Sequence, residues 1–138
     1  MGWKEIDYNR DKQAIHDICF DCGSKCMKDT FGYLNLMYFR FPDNVVAEIL
    51  DNKAFYVARK AKNHWRLIGI AVKKQHQGEK LGKTALFRLL YRLRKAGLDT
   101  LTLRTSMQEE AKFFWLKIGA RIIDVNGGDY EMEIKLKK

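Results

Sequence analysis

The stretch that most limits what this chain can become runs from Leu67 to Lys95. An apolar run, Leu67-Ile68-Gly69-Ile70-Ala71-Val72, gives way to a polar, glycine-bearing segment, Lys73 to Lys83, and then to an amphipathic one, Thr84 to Lys95. The pattern predicts a buried strand, a turn and a helix. In the helix, Leu86, Leu89, Leu90, Leu93 and Ala96 recur at i, i+3, i+4 and i+7, and Gly97 is a natural stop. Such a junction leaves first-turn N–H groups without partners at the positive end of the helix dipole, which suits a phosphate. Lys73, Lys74, Lys80 and Lys83 add positive charge at the same point. The expected ligand is anionic, and a pyrophosphate fits best.

Two nucleotide-binding patterns fail here. A P-loop needs G-x-x-x-x-G-K-[ST]; Gly82-Lys83-Thr84 imitates its end, but Gly78 and Gly82 stand one residue too close. A dinucleotide fingerprint needs three glycines and only two are present. A third pattern fits. Gln77-Gly78-Glu79-Lys80-Leu81-Gly82, preceded by the apolar triplet Ile70-Ala71-Val72, resembles the coenzyme A loop of the GNAT superfamily of N-acetyltransferases, [QR]-x-x-G-x-[GA]. Lys80 stands where that family has its first required glycine. A lysine donates the same backbone N–H only if its φ is one that a β-carbon tolerates.

A second motif lies downstream. Residues 106–120 read as a helix with Ser106 and Glu109 as a capping box. Met107, Ala111, Phe114, Trp115 and Ile118 form its buried side, and Gly119 ends it. It resembles the family's N-x-x-A-x-x-x-[YW]-x-x-x-G-[FA], with Gln108 at the Asn position and Trp115 where a tyrosine usually stands. Between the motifs, Asp99 to Thr105 alternates as a strand. Strand, helix and strand at this spacing make a parallel pair with a right-handed crossover. The resemblance implies that this pair splays and that the pantetheine arm slots between the two strands. Arg121 to Val125, Asn126-Gly127-Gly128-Asp129 and Tyr130 to Lys137 read as a closing hairpin.

The amino-terminal half follows the family only in element order. Trp3 to Tyr8 is an edge-strand candidate, and Asn9 is a candidate N-cap for a helix over 11–27. That helix carries His16, Cys19, Cys22 and Cys26, which resemble zinc ligands by type. On a straight helix they span roughly 15 Å and cannot surround one ion, so packed, reduced thiols are the expectation and no metal is expected. Pro42-Asp43-Asn44 opens a second helix with Val45, Val46, Ile49 and Leu50 as its stripe. Ala54 to Arg59 and Trp65 to Val72 are strands around a polar turn. This leaves two strands before the loop where the family has three. The expected fold is thus α+β, a GNAT-like mixed and centrally splayed sheet flanked by helices, with the amino-terminal half one strand short.

Composition bounds the rest. The 138 residues form a single domain, 1–138, and the 46% apolar and 31% charged content suits a soluble globular protein. No apolar run approaches the ~18–20 residues of a membrane span, and the amino terminus lacks a signal-peptide core, so no membrane and a cytoplasmic location are expected. A formal charge of +9 points to anionic partners. Arg88, Arg92, Arg94 and Lys95 line one side of the Thr84–Lys95 helix. A solvated face is the simpler reading of that stripe, and nucleic acid the disfavoured one.

The resemblance implies acetyl transfer from acetyl-coenzyme A, the cosubstrate, to a primary amine by direct attack. It implies coenzyme contacts from Ile70, Ala71, Val72, Gln77, Gly78, Glu79, Lys80, Leu81, Gly82, Lys83, Gln108 and Trp115, with a main-chain N–H at or near Val72 facing the oxyanion. The usual acid is the tyrosine that Trp115 replaces, and an indole cannot supply a proton at neutral pH. The usual base is a glutamate six residues before Val72, where Arg66 stands. His64, on the same face as Arg66, Ile68, Ile70 and Val72 when counted by twos, is the remaining base candidate. Tyr33, Tyr38 and Arg40 are candidates for the amine acceptor site. A catalytically weak coenzyme A-binding protein of the same fold and a basic nucleic-acid-binding module are the alternatives.

Overall fold

A computed structural model of the chain describes residues 2–22, 44–106 and 109–136. In chain order the elements are β1 (Trp3–Glu5), α1 (Tyr8–Cys22), β2 (Val45–Leu50), β3 (Ala54–Lys60), β4 (Trp65–Val72), a 3₁₀ turn (Lys74–Glu79), α2 (Leu81–Lys95), β5 (Thr100–Ser106), α3 (Glu109–Ile118), β6 (Arg121–Asn126) and β7 (Asp129–Lys135). The described strands form one sheet in the order β1-β2-β3-β4-β5-β7-β6. Every neighbouring pair is antiparallel except β4 with β5. This is the mixed α+β sheet with flanking helices that the sequence predicts.

One expectation is corrected. Val45–Leu50 is a strand, not a helix, and it supplies the third strand before the loop, so the amino-terminal half is not one strand short. Burial at 45, 46, 49 and 50 suits a helical stripe, but it equally suits a central strand covered on both faces. Val45, Ala47 and Ile49 pack on the α1 side, and Val46 packs on the α2 side. With three β-branched residues in six, pairing with β1 and β3 wins over the helical period. The cap of α1 also shifts. Asp7, rather than Asn9, accepts the N–H groups of Asn9 (3.1 Å) and Arg10 (3.4 Å), while Asp11 Oδ2 accepts the N–H of Asp7 at 2.9 Å. Asp7 to Asp11 thus act as a reciprocal cap.

The sheet carries two cores. On one face Ala85, Leu86, Leu89, Leu90 and Leu93 of α2 and Trp115 of α3 pack on Tyr56, Ala58, Trp65, Leu101, Leu103, Met132 and Ile134. On the other, Ile15, Ile18 and Cys19 of α1 pack on Val45, Ala47, Ile49, Phe55 and Val57. Gly97 (φ 99°) and Gly119 (φ 109°) stop α2 and α3 as expected, and Gly127 and Gly128 close the β6–β7 hairpin at φ 50° and 94°.

A buried polar node ties β1 and β2 to α2. Glu48, 7% exposed, accepts the Tyr56 hydroxyl at 2.6 Å and a fork from Arg88 at 2.9 and 3.1 Å. Arg92 reaches both Glu48 (3.7 Å) and Glu5. Arg88 and Arg92 therefore turn toward this carboxylate, and the expected solvated arginine face of α2 is only partly solvated.

Candidate functional site

Three local features meet at the carboxyl end of β4. The first is a parting of strands. Only Trp65 and Arg66 of β4 pair with β5, opposite Leu101 and Thr102, although both strands continue. The β4–β5 ladder ends at Arg66, while β5 stays paired to β7 from Thr100 to Ser106 on its other side. The predicted splay is present.

The second is the loop. After Val72 the chain makes the 3₁₀ turn, and Lys80 then takes φ 60°, ψ 25° before α2 begins. Residues 77–83 are thus broken by a left-handed residue and do not form one continuous helix. That conformation lies in the small left-handed basin, which admits a β-carbon at a cost of about 1–2 kcal/mol, so lysine stands in for the family's glycine. The loop is held from several sides. Lys73 N–H donates to Lys53 O at 2.7 Å, Gln77 Nε2 to Val72 O at 3.2 Å, and Thr84 N–H to Lys80 O at 3.1 Å. His76 Nδ1 and Glu79 Oε2 stand 2.7 Å apart across the turn. Burial plays little part at Glu79; the hydrogen bond from His76 holds its carboxyl below the ordinary value.

The third is the start of α2. No side chain caps it and no acidic residue sits in its first turn, so its leading N–H groups point outward uncapped, with Lys80 and Lys83 beside them. A β-carbon added at Gly82 would lie 3.7 Å from Val72 Cγ2, an ordinary contact, and one at Gly78 would meet nothing within 4 Å. Neither glycine is demanded by the protein's own packing. The loop therefore has open approach to its backbone donors, lysine charge beside them and a gap between strands, which together fit a diphosphate with an extended arm.

The other sequence-predicted residues fall as follows. Ile70, Ala71 and Val72 end β4 beside the gap. Trp115 is 6% exposed, packed edge-on to Phe114 with centroids 5.1 Å apart, and belongs to the core. His64 sits in the β3–β4 turn near Asn63 Oδ1 at 3.0 Å. Six to eight extended residues, roughly 20–26 Å, separate it from Ile70–Val72. The face-by-twos reasoning for His64 also fails. Val57 opposes Gly69 while Ala58 opposes Leu67, so Ile68 is an extra residue. Ile68 and Ala71 consequently pack toward α1, whereas Leu67 and Ile70 pack toward α2. Tyr33, Tyr38, Arg40 and Gln108 lie outside the described residues, as do the side chain of Cys22 and all of Cys26. Cys19 is 1% exposed within the α1 core, and no metal-ligating cluster occurs among the described residues.

Sequence reasoning missed a clamp at the fork. Arg66 donates to Thr102 Oγ1 at 3.2 Å and grips Glu131 of β7 with both terminal nitrogens, crossing over β5 where β4 and β5 begin to part. Gly69 inside an apolar run was the available sign of the neighbouring bulge. Nothing in the sequence pairs position 66 with position 131.

Comparison with known proteins agrees with this geometry. The model of the Acetyltransferase (GNAT) family matches residues 25–120. No curated protein sequence matches the chain. Among solved structures, the PaiA N-acetyltransferase from Thermoplasma acidophilum in complex with coenzyme A superimposes with a TM-score of 0.80 at 18% identity, over 97% of this chain and 98% of that one. The ribosomal-protein-S18-alanine N-acetyltransferase from Escherichia coli gives 0.77 at 16%, over 99% and 94%. An aminoglycoside 6'-N-acetyltransferase complexed with coenzyme A gives 0.78 at 15%, over 100% and 98%.

Proposed function

Because the chain belongs to the GNAT acetyltransferase family, we propose that it moves an acetyl group from acetyl-coenzyme A to a primary amine by direct attack. The observation that carries the proposal is the coincidence of an uncapped, lysine-flanked helix start with the fork between β4 and β5. In this reading the N–H groups of residues 78–83 and the Lys80 and Lys83 ammonium groups hold the diphosphate. The β4 edge that faces the gap beyond Arg66 hydrogen-bonds the pantetheine arm, and an N–H in the Ile70–Val72 segment faces the carbonyl oxygen as negative charge develops there. Gln77 acts from behind, fixing the Val72 carbonyl. Tyr33, Tyr38, Arg40 and Gln108 stay assigned to the acceptor and coenzyme walls.

The proposal assigns no side-chain acid or base. Trp115 is buried and its indole N–H is not an acid at neutral pH, and Arg66 is engaged with Glu131. A thiolate is a competent leaving group without an acid. The absence of these groups is also what favours the second reading, a coenzyme A-binding protein with weak turnover. The nucleic-acid reading loses its footing, since Arg88 and Arg92 are committed to Glu48. A cytoplasmic location belongs to the proposal, supported by the buried thiol of Cys19; no described helix is long and apolar enough to cross a membrane. Calorimetry with acetyl-coenzyme A, followed by thiol release over a panel of amines, tests the proposal. Saturable binding with thiol release is expected. Binding without release selects the second reading, and no binding at micromolar coenzyme removes both.

A further inference from the structure

Three strands are tied together where the fork begins. Arg66 leaves β4 at the last residue that pairs with β5, donates to Thr102 Oγ1 at 3.2 Å, and closes on both carboxylate oxygens of Glu131 in β7. Leu101, Leu103, Tyr130 and Met132 turn toward α2 and α3, so the alternation of β5 and β7 puts Thr102 and Glu131 on the opposite face, where the guanidinium lies. The register gives its reach. Arg66 stands opposite Thr102, whereas Glu131 stands opposite Arg104, two residues or about 7 Å further toward the parted ends of the strands. The side chain therefore leans over the base of the gap, not back over the closed ladder. Its pair with Glu131 is also well shielded: the two side chains are 24% and 19% exposed, against 51% and 42% for Arg104 and Asp129 nearby. A shielded, two-pronged pair holds geometry, whereas an open one contributes little.

The other edge of β4 supplies the divergence. Ile68, two positions after Arg66, is an extra residue against β3, and a bulge bends its strand and increases the local twist. β4 is thus pinned to β5 and β7 at Arg66 and turned at Ile68, so the parting starts at one defined residue. Resting on the coenzyme reading of this fork, we infer that Arg66 and Glu131 are a positioning pair: they fix the depth at which β4 and β5 part, and so hold the slot for the pantetheine arm in shape before the coenzyme arrives. Both act through the strand edges, not by contact with the coenzyme. With the pair intact, the arm meets edges already set apart. Without it, the last rungs of the ladder fray and re-form, and part of the arm's binding energy goes into ordering them. The diphosphate loop lies beyond the far end of β4 and is held by its own bonds, from Lys73 N–H to Lys53 O and from Gln77 Nε2 to Val72 O. It should not feel the loss.

Calorimetry with two ligands separates the slot from the loop: acetyl-coenzyme A, and adenosine 3'-phosphate 5'-diphosphate, which carries the diphosphate but no pantetheine arm. Arg66→Gln is expected to weaken acetyl-coenzyme A about fivefold, the equivalent of one main-chain hydrogen bond to the arm, and to leave the nucleotide within about twofold. Glu131→Gln keeps the size of the side chain and removes its charge. It is expected to give the same pattern, and it serves alone should Arg66→Gln fail to fold. Arg66→Lys, with a point charge in place of a fork, should fall between wild type and Arg66→Gln. Because the two residues act as one unit, the double variant of Arg66→Gln and Glu131→Gln is expected to lose no more than the larger single loss. A purely structural role would instead lower the melting temperature and weaken both ligands alike. Equal weakening of the two ligands, unchanged acetyl-coenzyme A affinity in the single variants, or losses that add in the double variant would each overturn the inference. Wild-type protein that binds neither ligand would overturn the coenzyme reading beneath it.

Discussion

Lys80 offers the sharpest separation of backbone from charge. It holds φ 60°, ψ 25° at the entry to α2, where a β-carbon costs about 1–2 kcal/mol relative to glycine. A glycine there gives back about 0.5–1 kcal/mol in unfolded-state entropy, so Lys80→Gly should gain about 0.5–1 kcal/mol over Lys80→Ala, which keeps the strain and removes only the charge. For a chain of 138 residues this is a rise of about 2–4 °C in melting temperature between the two variants. Both lose one ammonium beside the proposed diphosphate, worth about 0.5–1 kcal/mol at low salt, so each should bind acetyl-coenzyme A about two- to fivefold more weakly, with a shallower salt dependence. Thermal melts without ligand and calorimetry at two salt concentrations read the two effects separately. Equal melting temperatures for the glycine and alanine variants would refute the left-handed assignment. Undiminished affinity in both would refute the phosphate at this turn.

Three further outcomes follow from the packing. Glu48→Ala should cost about 2–3 kcal/mol by chemical denaturation, because it leaves the buried Tyr56 hydroxyl and the half-exposed Arg88 without their carboxylate while Arg92 keeps Glu5. Burial alone would raise the Glu48 carboxyl, but hydrogen bonds from Arg88 and Tyr56 and the nearby arginine charges outweigh it and hold it below the ordinary carboxylate value. The node's stability is therefore present above the unfolded carboxylate value and lost as pH falls from there through the lower folded one. The acid limb of an unfolding profile should flatten in Glu48→Gln. Trp115→Phe should lower the melting temperature by the loss of about 1–3 kcal/mol of packing yet leave the pH dependence of kcat unchanged. A vanished alkaline limb would instead give the indole position a role in proton transfer.

The carboxyl-terminal half was legible because its signals are local. A leucine stripe with Gly97 after it, the alternation of Asp99 to Thr105, and Asn126-Gly127-Gly128-Asp129 each specify one conformation through short-range sterics and a single period. Val45–Leu50 misled for the opposite reason. Burial on both faces erases the two-residue period that marks a strand, and only its pairing with β1 and β3 decides the matter. The bulge at Ile68 defeated face-counting along β4 by one residue, which moved Ile70 to the other side from the one assigned. At the site, main-chain donors could be located from glycine and lysine spacing. The Arg66–Glu131 clamp depends on β7 lying next to β5, a long-range pairing that no window of sequence contains.

The most direct test is the structure of this chain crystallised with coenzyme A. The diphosphate is predicted to accept N–H groups from residues 78–83, with the pantetheine lying along the Leu67–Val72 edge of β4. A coenzyme seated anywhere else, or strands β4 and β5 closed into a continuous ladder beneath it, would contradict the account.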